Sequence, residues 1–266
     1  MTHRRDDILT KVPEVTLAFW IIKILATTLG ETGGDTVTMT WLHADQNAQN
    51  GGYLVGTGIF LVVFIAAVIG QISVKRFNPW VYWLAIVAST TVGTAMADLF
   101  DRALGIGYTG GSSILLACVL GSLAIWYFTL GTVSVESVAT PRVEIFYWVT
   151  ITFSQTLGTA LGDWMADDTG LGYEGGALVF CVGLAVLAAL YYWTTLSRVF
   201  LFWAAFILTR PLGATVGDFL DKPTSHGGLA LSRPLASAVI LAAIVLLIVV
   251  LPQQPGRYPG EATANV

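Results

Sequence analysis

Charge is what this sequence has least of. Asp, Glu, Lys and Arg make up 11% of its 266 residues, and the formal net charge is only −4. A soluble domain covers its surface with roughly 25% charged residues. Water is therefore excluded as the main solvent, in line with 55% hydrophobic residues and a mean hydropathy of +0.72. No basic run is present, which removes nucleic acid as a partner. Cysteine is limited to Cys118 and Cys181, both inside apolar runs with no CxxC and no His nearby, so they read as core residues. His3, His43 and His226 lack metal-ligand spacing. No P-loop, dinucleotide fingerprint, hydrolase triad or haem-ligating His pair occurs. The chain reads as a non-enzyme without a cofactor, and as no ATP-driven pump by itself.

What is abundant is apolar sequence, in stretches of about 20 residues, the length that crosses a hydrocarbon core of about 30 Å as a helix. Barrel strands would alternate, and these stretches do not. Arg4, Arg5 and Lys11 ahead of the first stretch resemble the start of a signal peptide. Against that stand Lys23 and Glu31 inside the stretch, its length, and the lack of a small-x-small cleavage site.

Self-similarity organises the chain. Four segments align on Gly30, Gly93, Gly158 and Gly213, at intervals of 63, 65 and 55 residues. Ten residues before each stands Trp20, Trp83, Trp148 or Trp203, and five after it Asp35, Asp98, Asp163 or Asp218. The residue four after each glycine is small (Gly34, Ala97, Gly162, Gly217), a spacing that lets membrane helices approach closely. Each repeat then has a loop expected to end in a glycine pair, Gly51-Gly52, Gly110-Gly111, Gly175-Gly176 or Gly227-Gly228. Helices are expected at about 14–36, 53–72, 80–102, 111–131, 144–165, 175–194, 199–221 and 230–251.

The expected fold is an all-α integral membrane protein with one transmembrane domain of eight transmembrane helices. They form four parallel tandem two-helix repeats, over 12–73, 78–132, 142–195 and 198–252. The odd helices carry polar residues inside the span and the even ones essentially no charge, so the odd helices should be inner and the even ones lipid-facing. Arg4, Arg5, Lys11, Lys75, Arg76, Arg142, Arg198 and Arg257 flank the repeats, against Arg102, Lys222 and Arg233 in the loops within them. This bias places both termini in the cytoplasm, with the four aspartates toward the outer face of a bacterial inner membrane. Asp101, Asp167, Asp168, Glu174 and Asp221 would add to an acidic outer mouth.

The pattern of Trp20, Trp83, Trp148 and Trp203 with the aligned glycines and aspartates resembles a bacterial family of uncharacterised membrane-anchored proteins. That family is built from four tandem repeats of unknown function, each with two transmembrane helices and a characteristic tryptophan. The likeness runs from about residue 12 to 251. It implies the architecture and is silent on activity.

Polar residues recur every four positions on the odd helices, forming one stripe on each. The stripes are Lys23, Thr27, Glu31 and Asp35; Thr90, Thr94 and Asp98; Gln155, Thr159 and Asp163; and Arg210, Ala214 and Asp218. Four stripes facing one axis would line a cation pathway with a carboxylate ring at its outer end. The competing reading is polar glue between tightly packed helices. The aspartates stand in the last turns of their helices, where the macrodipole disfavours negative charge, so a positive group should compensate them. Lys23 and Arg210 are each expected to pair with a carboxylate, Glu31 being the best partner for either.

The expected function is transport of a small cation, in its specific form divalent (Mn²⁺ or Mg²⁺) and proton-coupled. Glu31, Asp35, Asp98, Asp163 and Asp218 would be the metal ligands, with Thr27, Thr90 and Gln155 as further binding residues. Lys23, Arg210 and Glu31 would gate or couple. Oxygen ligands suit hard ions. Glu31-Thr-Gly-Gly-Asp35 is similar to the Glu-x-Gly-Asp signature of a family of divalent-cation/proton exchangers, with one residue more and without the basic residue that follows it. The alternatives are a small polar or anionic solute bound by Lys23 and Arg210, and a non-transporting scaffold or accessory subunit. The expected partners are the lipid bilayer and the cation, with homo-oligomerisation left open.

Overall fold

Prolines and short polar side chains start the helices. Thr16 caps α1 (Leu17–Asp35) by accepting from the Phe19 amide, and Asn78 caps α3 (Pro79–Asp98) by accepting from Trp80 and Val81. Pro79, Pro141 and Pro234 occupy first-turn positions that need no amide hydrogen. The computed structural model describes residues 9–44 and 51–257. Among these are six further long helices: α2 (Gly52–Ser73), α4 (Tyr108–Leu130), α5 (Pro141–Asp163), α6 (Gly172–Trp193), α7 (Arg198–Asp221) and α8 (Arg233–Val250). His3, Arg4 and Arg5, and the part of the first acidic loop at 45–50, lie outside the described residues.

Six of the eight helices are long and apolar enough to cross a membrane, and the chain is a multi-pass membrane protein. The other two are α1 and α5. The first carries Lys23, Glu31 and Asp35, and the second is diluted by Thr150, Thr152, Ser154, Gln155 and Thr156. These polar residues are sheltered by neighbours. α1 packs against α3, α7 and α8, and α5 against α3, α4 and α7.

The odd helices close a ring of contacts, α1 on α3, α3 on α5, α5 on α7 and α7 on α1. Each even helix packs mainly on the odd helix of the next repeat: α2 on α3, α4 on α5, α6 on α7, and α8 back on α1. The aligned glycines set how closely the ring is drawn. A Cβ on Gly30 would lie 1.8 Å from Thr90 Oγ1, and one on Gly213 would lie 2.2 Å from Thr27 Oγ1. Gly93 and Gly158 face Gln155 and Arg210 in the same way, so each glycine seats the side chain three positions before the next glycine around the ring.

Three features differ from the sequence expectation. The glycine pairs do not all end loops: Gly110-Gly111 and Gly175-Gly176 lie in the first turns of α4 and α6, and Gly52 opens α2. Close approach is the reason, since a Cβ on Gly111 would lie 2.2 Å from Asp101 Oδ1. The first three odd helices also continue past their aspartates as π-helical turns, Thr36–Trp41, Leu99–Ala103 and Trp164–Asp168, whereas α7 runs on as regular helix. Finally, the two ends of the chain meet in an antiparallel ribbon, β1 (Leu9–Pro13) with β2 (Pro255–Arg257). Lys11 Nζ fastens it to α5 through Glu144 Oε1 at 2.6 Å and to α2 through the Ile72 carbonyl at 2.9 Å.

Candidate functional site

Four-residue spacing on the four odd helices stacks the ring in layers, about 6 Å apart at 1.5 Å per residue. The layer at the ribbon end is aromatic and was not anticipated. Each repeat tryptophan is preceded by Phe19, Tyr82, Tyr147 or Phe202, and this residue reaches the tryptophan of the next repeat. Phe19 meets Trp83 at 5.5 Å between ring centres, Tyr82 meets Trp148 at 6.0 Å, Tyr147 meets Trp203 at 6.3 Å, and Phe202 meets Trp20 at 5.7 Å. The cycle is closed. Tyr82 and Tyr147 also share a 2.7 Å hydrogen bond between their hydroxyls. A doublet of aromatics at every repeat was the available signal.

The next layer holds Lys23 with Ile86, Ile151 and Phe206, all fully buried. Among the described residues Lys23 pairs with no carboxylate, contrary to expectation. Its Nζ sits 4.1 Å from the centre of the Phe206 ring and 3.5 Å from Thr209 Oγ1. Eight residues of helix, about 12 Å, separate it from Glu31 on the same stripe.

Thr27, Thr90, Gln155 and Arg210 form the third layer. Three of them bond to the preceding helix of the ring: Thr27 Oγ1 donates to the Thr209 carbonyl at 3.2 Å, Thr90 Oγ1 to the Ala26 carbonyl at 3.0 Å, and Gln155 Nε2 to Ser89 Oγ at 3.4 Å. They stand about two turns from the aspartates and join the helices, so the structure does not gather them with the carboxylates.

Arg210 instead reaches into the fourth layer, made by Glu31, Thr94, Thr159 and Ala214. The small side chain of Ala214 leaves room for the guanidinium. Its Nη2 shares its two hydrogens among Glu31 Oε2 at 3.0 Å, Thr94 Oγ1 at 2.7 Å and Thr159 Oγ1. The expected pairing of Arg210 with Glu31 is present.

The last layer brings together Asp35, Asp98, Asp163 and Asp218, none more than 3% exposed. The compensating cations are Arg102 and Lys222, which sequence reasoning had counted only as loop charges. Arg102 lies 2.8 Å from Asp98 Oδ1 and 3.2 Å from Asp163 Oδ2. Lys222 Nζ lies 2.6 Å from Asp35 Oδ2 and 3.0 Å from Asp218 Oδ1. Each cation clamps its own repeat's aspartate and that of the next. The signal was the i,i+4 spacing of Asp98 with Arg102 and Asp218 with Lys222. Burial opposes the Lys222 ammonium, but Asp218 and Asp35 outweigh it and hold its pKa well above the usual lysine range. Asp35 Oδ1, Asp98 Oδ2 and Asp163 Oδ1 remain buried without a hydrogen-bond donor among the described residues.

On one side of this layer Glu31 joins in, and one carboxylate oxygen from each of Glu31, Asp35 and Asp218 lies within 4.8 Å of the others. Carboxylates at that spacing suit a hard or borderline cation of ordinary coordination radius. Of the other mouth residues, Asp167, Asp168 and Glu174 are exposed, while Asp221 is buried with Arg233 Nε 3.6 Å away.

No curated protein and no solved structure matches the chain. A family described as Repeat of Unknown Function (DUF347) matches it over residues 18–77, 81–132, 146–197 and 201–252. Each matched segment contains one aromatic doublet, one aligned glycine and one layer aspartate. With four tandem copies spanning most of its length, the chain belongs to this family of repeat proteins.

Proposed function

We propose that this protein is a transporter of a small cation, divalent in its specific form (Mn²⁺ or Mg²⁺) and proton-coupled. The observation that carries the reading is the convergence of Glu31, Asp35 and Asp218 within 4.8 Å on the axis of the helix ring. Buried carboxylates inside a membrane are costly and mark ion pathways. In this reading all eight helices span, the odd ones inside and the even ones against lipid. Large exposed apolar side chains on the even helices, such as Val62, Phe128, Leu178 and Val239, support the outer placement. Both termini lie on the cytoplasmic side of the cell membrane, supported by the excess of basic residues between repeats.

Asp98 and Asp163, held by Arg102, complete the acidic ring but stand apart from the three-carboxylate cluster. Arg210 holds Glu31 while the site is empty and releases it when the substrate ion arrives, so a pair breaks as an ion binds. An anionic substrate is less well served, because the charge of Arg210 is already balanced by Glu31 at 3.0 Å, although its Nε and Nη1 have no hydrogen-bond partner among the described residues.

The test is Mn²⁺ flux into liposomes containing the purified protein, with and without a pH gradient. Glu31→Gln and Glu31→Gln/Arg210→Met should abolish flux, whereas Asp98→Asn should only reduce it. The double variant removes both charges of the pair and so separates transport from folding. Wild-type liposomes no more permeable than empty ones would overturn the reading, as would full flux in the double variant.

A further inference from the structure

The two halves of the aspartate layer differ in what stands beside the clamp. The position nine residues after each aligned glycine is occupied by Met39, Arg102, Asp167 and Lys222. Three of these are charged, and the fourth is a thioether. Met39 belongs to the π-helical turn that follows α1 and is buried at 4% exposure. Its Sδ lies 3.8 Å from Lys222 Nζ, the same nitrogen that contacts Asp35 Oδ2 and Asp218 Oδ1. The ammonium is thus surrounded as a bound metal ion would be, by two carboxylates and a sulfur, with Glu31 completing the cluster. Asp35 is fully buried, yet its Oδ1 has no hydrogen-bond donor among the described residues. That oxygen is a free ligand position next to the lysine nitrogen.

We infer that the Lys222 ammonium is a tethered placeholder at the cation site, and that the Met39 thioether makes the site select divalent transition metals over Mg²⁺ and Ca²⁺. This deepens the cation-site reading above, rests on it, and narrows its choice of Mn²⁺ or Mg²⁺ to Mn²⁺. A lysine suits the role because it is a compact point charge on a flexible four-carbon stem, able to withdraw without disturbing the helices. Exchange is then displacement of one cation by another. The carboxylates never face the low-dielectric interior uncompensated, which would be far costlier than either occupied state. Carboxylate oxygens alone would accept Mg²⁺ or Ca²⁺, whereas a thioether adds affinity for softer, later first-row ions.

The experiment is calorimetric titration of the full-length protein in detergent with Mn²⁺, Co²⁺ and Mg²⁺. Lys222→Gln should bind Mn²⁺ and Co²⁺ at least about tenfold tighter than wild type, the low end of what one adjacent charge does to a carboxylate. Lys222→Arg, which keeps the charge, should bind no tighter than wild type. Adding Met39→Leu to Lys222→Gln should lower the preference for Co²⁺ over Mg²⁺ about tenfold, the scale on which a lost metal-site contact acts. In wild-type protein, saturating Mn²⁺ should raise acetylation of Lys222, read by peptide mass spectrometry, because the displaced amine becomes accessible. That measurement decides the question should Lys222→Gln fail to fold.

Unchanged Mn²⁺ affinity in well-folded Lys222→Gln, or unchanged Lys222 labelling, would overturn the placeholder. An unaltered Co²⁺/Mg²⁺ ratio in the double variant would overturn the role of Met39. Flux in wild-type liposomes together with unchanged affinities removes this inference and keeps the transport reading. The expected affinity changes without any flux support the inference and remove transport.

Discussion

The central ion pair offers the sharpest test of how the ring is held together. Arg210 is fully buried and Glu31 is 3% exposed, and each is the other's only ion-pair partner among the described residues. Arg210→Met keeps the Cβ and Cγ against which Gly158 packs, so the helix contact survives and only the charge and its hydrogen bonds are lost. Among the described residues Glu31 is then left with a single weak donor, Thr94 Oγ1 at 3.4 Å. Stranding a buried carboxylate in this way costs about 3–5 kcal/mol, whereas replacing both partners by neutral groups is often close to neutral. Arg210→Met should therefore lose about 3–5 kcal/mol and Arg210→Met/Glu31→Gln should regain most of it, a coupling at the upper end of the usual 0.5–3 kcal/mol or beyond it. Denaturant unfolding in detergent, followed by tryptophan fluorescence, measures both. A double variant as unstable as the sum of its single changes would refute the claim that charge balance holds the layer together.

Two further outcomes test the frame. Gly213→Ala should destabilise by more than about 1 kcal/mol, since its Cβ would fall 2.8 Å from the Thr27 backbone carbon, whereas Gly58→Ala, with nothing within 4 Å, should gain about 0.5–1 kcal/mol from helix propensity. Equal effects in the same unfolding assay would show that the ring contact is not tight. With Cys118 and Cys181 replaced by Ser, single cysteines introduced at Gly170 and Glu136 should react with a membrane-impermeant thiol reagent from opposite sides, Gly170 from outside and Glu136 from inside; labelling of both from one side would overturn the two-span repeat.

The sequence made the helices and the repeat legible because both rest on one-dimensional signals, namely apolar length and a fixed register. Gly30, Gly93, Gly158 and Gly213 stand out for the same reason, and their role as seats for Thr90, Gln155, Arg210 and Thr27 follows from small residues at helix crossings. The partner of Arg210 was also within reach, since Glu31 lies at a level that helix α7 can meet. Other features depend on relations between repeats that spacing within one repeat does not reveal. The ribbon joins residues about 250 positions apart. Lys23 was misread because a charge in a span invites a search for a counter-charge, while here the ring face of Phe206 and the Thr209 hydroxyl surround it. Arg102 and Lys222 enter the sequence reading only as loop charges, because a loop cation counts toward orientation as readily as toward a clamp.

The division of the aspartate layer into unlike halves follows from those two cations. Repeats two and four both carry an aspartate, a second aspartate three residues on and then a cation: Asp98, Asp101 and Arg102, against Asp218, Asp221 and Lys222. Alone, this would give a twofold arrangement of two equivalent clamps. Arg102 divides its planar head between Nε facing Asp98 and Nη2 facing Asp163, a rigid fork that fixes the distance between α3 and α5. Lys222 presents one nitrogen to Asp35 and Asp218, and that contact can break without reorienting a plane. Glu31 and Met39 both come from the first repeat and stand on the lysine side only. The ligand-rich half of the layer therefore has the cation that is easier to displace. The ligand-poor half has the cation better suited to holding helices in place, which gives the four equivalent aspartates unequal work.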